Sequence, residues 1–209
     1  MKDYKKYHTI FDNMSRQCPY MYRFVDMITA QLTDGLKVTD VGGGTGIFTE
    51  ILQNNINGLE LSFIEPSKDM LNIAMNRIDG DIYNDEFKHV IDSLEPQNMF
   101  VFMRSFYCLY ETMEEYKELP NILHNKLLKG GKVAINSLGG IQHYSLDVEL
   151  PYLTVEENHI YRTVKMEFNH MVDIGKFHVL QNSEFDDLFL SNRFELIKGD
   201  SINKIYRKI

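Results

Sequence analysis

The residues best suited to chemistry gather around one short stretch, Val38-Thr39-Asp40-Val41-Gly42-Gly43-Gly44-Thr45-Gly46. A short apolar run (36–41) leads into it, and a helical pattern carrying Ile47, Phe48, Ile51 and Leu52 leads out. Lacking a Cβ, glycine takes positive φ and lets a ligand approach the backbone closely. The helix that follows adds N–H groups that its own turns cannot satisfy. A strand, a glycine turn and a helix in this order form a binding site for a nucleoside-bearing ligand at the carboxyl end of a sheet. A dinucleotide fingerprint, G-x-G-x-x-G, would need its third glycine at position 47, which is Ile47. The chain instead reads D-x-G-x-G-x-G from Asp40 through Gly42 and Gly44 to Gly46. An acid beside such a loop suits an ammonium group better than a phosphate. A second carboxylate, Glu65, closes the apolar run 59–64, where it can accept hydrogen bonds from both hydroxyls of a ribose. Each such charge-assisted bond is worth about 1.5–3 kcal/mol.

Two further side chains are candidates for acid–base work. His143 and its neighbour Tyr144 follow the expected fifth strand, at the rim where ligands enter open α/β sheets. His143 is therefore the preferred base, with Tyr107 as a second catalytic candidate and Tyr110 in a similar position. His159, His170 and His178 lack a metal-ligand spacing and read as sheet-face residues, so no metal site is expected.

The elements that must position these groups come from hydrophobic patterning. The chain has 209 residues, 44% hydrophobic and 25% charged, which suits one soluble domain with at most a modest insertion. Short apolar runs alternate with helical patterns, the signature of an α/β sheet. Met21, Phe24, Val25, Ile28 and Leu32 form one helical stripe, with Pro19 near its start. Ser67 reads as the N-cap of a helix carrying Met70, Leu71, Ala74 and Met75. The third and fourth strands are expected at 88–92 and 99–103. Thr112-Met113-Glu114-Glu115 matches a capping box, opening a helix expected to break or restart at Pro120 and to end on Gly130-Gly131. A fifth strand at 132–136 follows. From 139 to 181 the pattern turns β-rich, with a period-2 strand at 164–172, a turn at Asp173-Ile174-Gly175 and a returning strand at 177–180. A last helix opens at Ser183, and strands at 194–198 and 204–208 close the sheet.

Charge and cysteine usage narrow the function. Lys plus Arg number 22 against 30 Asp plus Glu, a net charge of -8, which disfavours nucleic acid as a partner. Cys18 and Cys108 are the only thiols, too few for a disulfide framework and without a zinc spacing. No run approaches the ~18 apolar residues of a spanning helix, and Met1-Lys2-Asp3-Tyr4-Lys5-Lys6 opens no signal peptide. The expectation is a cytoplasmic protein with no membrane partner.

The D-x-G-x-G-x-G loop resembles motif I of class I S-adenosylmethionine-dependent methyltransferases. Glu65-Pro66-Ser67-Lys68-Asp69-Met70-Leu71 is similar to the acid-P-S-x-x-M-L run after their second strand. Leu127-Leu128-Lys129-Gly130-Gly131 resembles their L-K-P-G-G signal, without the proline. The resemblance spans 34–137. It implies a doubly wound, Rossmann-like seven-stranded sheet over a single domain, 1–209. It also implies a helical lid at about 1–33, with Tyr4, Tyr7, His8 and Phe11 over the cofactor, and a β-rich cover at about 139–181. It implies S-adenosylmethionine as cofactor, held by Asp40, Gly42, Gly43, Gly44, Gly46, Glu65, Pro66 and Met70. By analogy Asp92 and Ser93, after the third strand, would flank the adenine, and Arg104 with Ser105, after the fourth, would lie beside the cofactor. The family's usual F-D before the fourth strand is Asn98-Met99 here. The expected function is methyl transfer to a small molecule, with the 164–172 strand as a cavity wall or the edge of a homodimer. Two readings stay open: the same cofactor fold running other chemistry, such as cyclisation, or only binding; and a loop that holds a nicotinamide dinucleotide.

Overall fold

The computed structural model describes residues 12, 16, 19–33, 35–106, 109, 113–136, 153–156, 159–165, 173–179, 182–200 and 202–209. Helix α1, Pro19–Thr29, begins on its proline, where the missing N–H costs nothing, and buries Met21, Phe24, Val25 and Ile28. Strand β1, Lys37–Val41, the glycine loop and α2, Ile47–Asn55, follow. Then come β2, Glu60–Ile64, α3, Lys68–Ala74, and β3, Asp81–Tyr83. Helix α4, Phe87–Val90, runs on into a 3-10 turn, Ile91–Ser93. Strand β4, Gln97–Met103, helix α5, Met113–Lys126, and β5, Leu127–Asn136, complete the central part. Strands β6, Leu153–Glu156, β7, His159–Lys165, and β8, Asp173–Val179, form a separate three-stranded antiparallel sheet in the order β6-β7-β8. Helix α6, Asn182–Leu190, and strands β9, Phe194–Gly199, and β10, Asn203–Lys208, end the chain.

The main sheet has seven strands in the order β3-β2-β1-β4-β5-β10-β9. The first five are parallel, while β10 runs antiparallel to both β5 and β9. Alternation along the strands sends side chains to two separate cores, because successive residues point to opposite faces. Val41, Phe100, Phe102, Val133, Ile135 and Tyr206 face one core with Tyr116 and Leu119 of α5 and Phe185 and Phe189 of α6. Val38, Met99, Val101, Ala134 and Ile205 face the other, with Phe24 and Ile28 of α1 and Phe48 of α2. Burial on both faces explains the unbroken apolar run Met99 to Met103 in β4. The order reverses between β1 and β4, which leaves a crevice beyond their carboxyl ends.

The structure departs from the sequence expectations at four places. The third strand is 81–83, not 88–92: Phe87, Val90, Ile91 and Leu94 are all buried in the same core at helical spacing, and tertiary packing overrides the β-branched pair. Gly130-Gly131 does not cap α5. The helix stops at Lys126, and the glycines fall where the β5 register jumps from Gln97↔Leu127 to Met99↔Lys132, with Gly130 at φ 71° in the bulge. Helix α5 runs through Pro120 without interruption. The buried face of Tyr116, Leu119 and Leu123 holds it across the lost bond. Asp173, Ile174 and Gly175 lie within β8, since Asp173 already pairs with Lys165. Thr112 lies outside the described residues.

The stack of Phe189 on Tyr206, centroids 4.5 Å apart at 12°, joins α6 to β10, and Phe194 meets the same ring edge-on at 5.4 Å. Phe189→Ala should lower unfolding free energy by about 3–5 kcal/mol in urea titration. A loss under ~1 kcal/mol would contradict this packing.

Candidate functional site

The loop after β1 is crowded at three of its glycines and open at one. A Cβ on Gly42 would lie 2.6 Å from Cβ of Ser105, one on Gly43 2.1 Å from the Phe63 ring, and one on Gly46 3.1 Å from Cβ of Ala74. At Gly44, with φ 62°, no atom of the other described residues lies within 4 Å of that position. The backbone is therefore pressed against β2, the β4 end and α3, and its accessible face is at Gly44. Two N–H groups, of Gly42 and Gly43, donate to the Ile64 carbonyl at 2.8 and 3.2 Å and tie the loop to β2.

Glu65 completes that tie. Its Oε2 accepts from the Gly44 N–H at 2.9 Å and its Oε1 from the Ser67 N–H at 2.7 Å. Ser67 in turn caps α3, its hydroxyl accepting from the Met70 N–H at 3.5 Å. Glu65 is only 7% exposed. Burial raises its pKa, and the bonds from Ser67 and Gly44 oppose that rise. A carboxylate offers about four lone-pair sites, so two protein bonds leave room for two more. Asn84, directly after β3, donates to the carbonyls of Glu65 and Pro66 at 2.9 and 3.1 Å and fixes this turn.

Asp40 lies beneath the loop rather than on its open face. The Thr49 hydroxyl of α2 donates to its Oδ2, and a Cβ on Gly43 would come within 2.9 Å of that oxygen. The other oxygen, Oδ1, is buried with no partner. Burial pushes the Asp40 pKa up to about 7, the Thr49 bond opposes this, and the charge of Glu65 adds to it. With one buried oxygen unpartnered, Asp40 suits a hydrogen-bond donor arriving from the loop side.

The ends of β4 and β5 form the far wall. Arg104 is held at φ 59°, a conformation that costs a non-glycine residue about 1–2 kcal/mol, and its N–H donates to the Asn136 carbonyl at 3.1 Å. Next to it, the buried Ser105 hydroxyl donates to the Val41 carbonyl. Asn136 ends β5 with a polar relay behind it. The Asp200 carboxylate accepts from Asn203 Nδ2 at 3.2 Å, and Asn203 Oδ1 accepts from Asn136 Nδ2 at 2.6 Å. A carboxylate can only accept, so it sets the orientation of both amides and leaves Asn136 Oδ1 buried and unpartnered.

No protein-family model matches the chain. Over 186 residues it is 22% identical to malonyl-(acyl-carrier protein) O-methyltransferase 1 of Ilyobacter polytropus, covering 88% of this chain and 68% of that protein. Among solved structures it matches an amino pentose methyltransferase of Micromonospora echinaspora, determined with S-adenosylmethionine bound, at TM-score 0.64 and 14% identity over 94% of each chain. It also matches an S-adenosylmethionine-dependent methyltransferase of Clostridium acetobutylicum at TM-score 0.66, with 15% identity over 98% of each chain. DesVI of Streptomyces venezuelae matches at 0.67, with 14% identity over all of both chains. The chain carries the class I methyltransferase fold.

Within this methyltransferase fold, Asp40, Gly42, Gly43, Gly44, Gly46 and Glu65 meet at the carboxyl ends of β1 and β2. Met70 is buried in the first turn of α3, and Pro66 is exposed beside it. Asp92 and Ser93 do not follow the third strand. They sit exposed on the 3-10 turn after α4, where the Ser93 hydroxyl donates to the Val90 carbonyl at 2.7 Å. The residues that do leave β3 are Asn84, Asp85 and Glu86. His143, Tyr107, Tyr110, Tyr144 and the N-terminal Tyr4, Tyr7, His8 and Phe11 lie outside the described residues. Among the described residues no group of three His, Cys, Asp or Glu could hold a metal ion, and no helix is long and apolar enough to cross a membrane. Sequence reasoning missed Thr49, Asn84 and Asn136. Thr49 alone left a signal, a polar residue on the buried side of α2.

A raised carboxyl pKa gives stability that is present below the unfolded value, 3.8, and lost as pH climbs through the folded value of about 7. Asp40→Asn cannot ionise. Its melting temperature relative to wild type should therefore rise between about pH 5 and pH 8. An offset that stays constant over that range would contradict the buried, hard-to-ionise Asp40.

Proposed function

We propose that this protein is an S-adenosylmethionine-dependent methyltransferase acting on a small molecule. The observation that carries the reading is the open face of Gly44, whose N–H is already fixed by Glu65. A nucleoside laid against that face would donate both ribose hydroxyls to the lone pairs Glu65 has left. Asn84, Asp85 and Glu86, leaving β3, take the adenine-flanking role for which Asp92 and Ser93 are misplaced. Pro66 and Met70 line the ribose side. Asp40, through its unpartnered Oδ1, favours a positive group above Gly43. Arg104 and Ser105 bound the cofactor at the crevice between β1 and β4.

When bound, S-adenosylmethionine supplies a methyl group on a sulfonium, an electrophile that needs no further activation. The chain's task is to hold the acceptor in line with that carbon and to exclude water. His143 and Tyr107 are the candidate bases from the sequence for a protonated acceptor; an acceptor with a free lone pair needs neither. The surplus of acidic residues supports an acceptor other than a polyanion. The likeness to a malonyl-(acyl-carrier protein) O-methyltransferase and to an amino pentose methyltransferase supports methyl transfer to a small acceptor group.

Incubation with methyl-labelled S-adenosylmethionine and a panel of small amines, alcohols and carboxylates tests the reaction; label in an acceptor supports transfer. Glu65→Gln keeps one acceptor oxygen and loses the charge. It should weaken S-adenosylhomocysteine roughly tenfold or more in calorimetry while the circular dichroism stays native. An unchanged dissociation constant would remove the ribose role.

A further inference from the structure

We propose that Asp12 is a positioning residue of the cofactor loop, acting through Thr45 and Arg77. Its Oδ1 accepts from the Thr45 hydroxyl at 2.6 Å, and its Oδ2 pairs with the Arg77 guanidinium. Arg77 closes the ring by donating Nη1 to the Thr45 carbonyl at 2.9 Å. Thr45 is thus gripped at both its side chain and its backbone. It stands between Gly44, the open face of the loop, and Gly46, from which α2 departs, so its placement decides where the neighbouring backbone groups point. Arg77 lies in the turn after α3, the helix whose start is tied to the same loop through Glu65 and Ser67. The loop is therefore held from both ends of α3.

The clasp is shielded, with the side chains of Arg77 and Asp12 21% and 13% exposed, whereas Lys88 and Glu86 pair at about half exposure. Exposed pairs of that second kind contribute little, while a shielded, hydrogen-bonded pair constrains its partners. A loop already ordered without ligand loses less freedom on binding, which raises affinity without adding a contact.

This inference rests on the cofactor lying at Gly44, and calorimetry with S-adenosylhomocysteine separates the two. The full chain is titrated at about 15 °C, where each variant is first shown to be folded by circular dichroism, so that a loss of stability alone leaves the dissociation constant unmoved. Asp12→Ala and Arg77→Met should each weaken binding by about fivefold or more, the double variant should be no weaker than the worse single one, and Arg77→Lys should recover most of the affinity. Should Asp12→Ala not fold, Asp12→Asn keeps an acceptor for Thr45 and loses the ion pair; it should weaken binding by about threefold. Wild-type binding that survives these substitutions within about twofold overturns the positioning role alone. Failure of the wild type to bind overturns the cofactor reading and this proposal with it.

Discussion

The carboxylate of Glu65 takes one hydrogen bond from the loop after β1 and another from the N-cap of α3. Three elements are joined at that point, because Glu65 itself leaves β2. The sheet fixes its position: Val41 pairs with Ile64 in register, so Glu65 must emerge beside Gly42 and Gly43. Moving the carboxylate by an ångström would break either the Gly44 bond or the cap, and would strain the β1–β2 pairing behind them. The fold thus settles the geometry of the crevice before any ligand arrives.

Keeping that carboxylate buried has an electrostatic consequence. Asp40 lies under the same loop, and the charge of Glu65 adds to the difficulty that burial gives it in ionising. Glu65 is supported by two N–H donors, Asp40 by one hydroxyl. The better-served acid is Glu65, and the poorly served one, Asp40, retains an unpartnered oxygen. The loop that separates them is closed to side chains at Gly42 and Gly43: at Gly43 the Phe63 ring leaves no space for even a methyl group.

Much of this was legible in the sequence wherever the signal is local. The run into Gly42, the glycine spacing, the acid at 65 and the Ser67 cap are each set by a few consecutive residues, and the structure has a strand, a loop, a strand end and a capped helix there. The seven-stranded doubly wound sheet followed from the alternation of apolar runs and helical stripes together with the family resemblance. What failed was decided by packing. A three-residue strand at 81–83 leaves almost no periodic signal, while Val90-Ile91 imitates a strand and is drawn into the core as helix. Gly130 reads equally well as a helix cap or a bulge, and only the β4 register chooses. The bond of Asn136 with Asn203 and the contact of Asp12 with Arg77 join residues far apart in the chain, which no spacing rule exposes.

The central claim is that the open side of Gly44 receives an adenosyl group whose sugar is held by Glu65. Difference density from crystals grown with S-adenosylhomocysteine tests it directly. The account predicts both ribose hydroxyls within about 3.2 Å of the Glu65 carboxylate, the amino-acid tail above Gly43 and the adenine toward Asn84. Adenosine density at any other edge of the sheet, or a ligand whose ribose leaves Glu65 untouched, would contradict it.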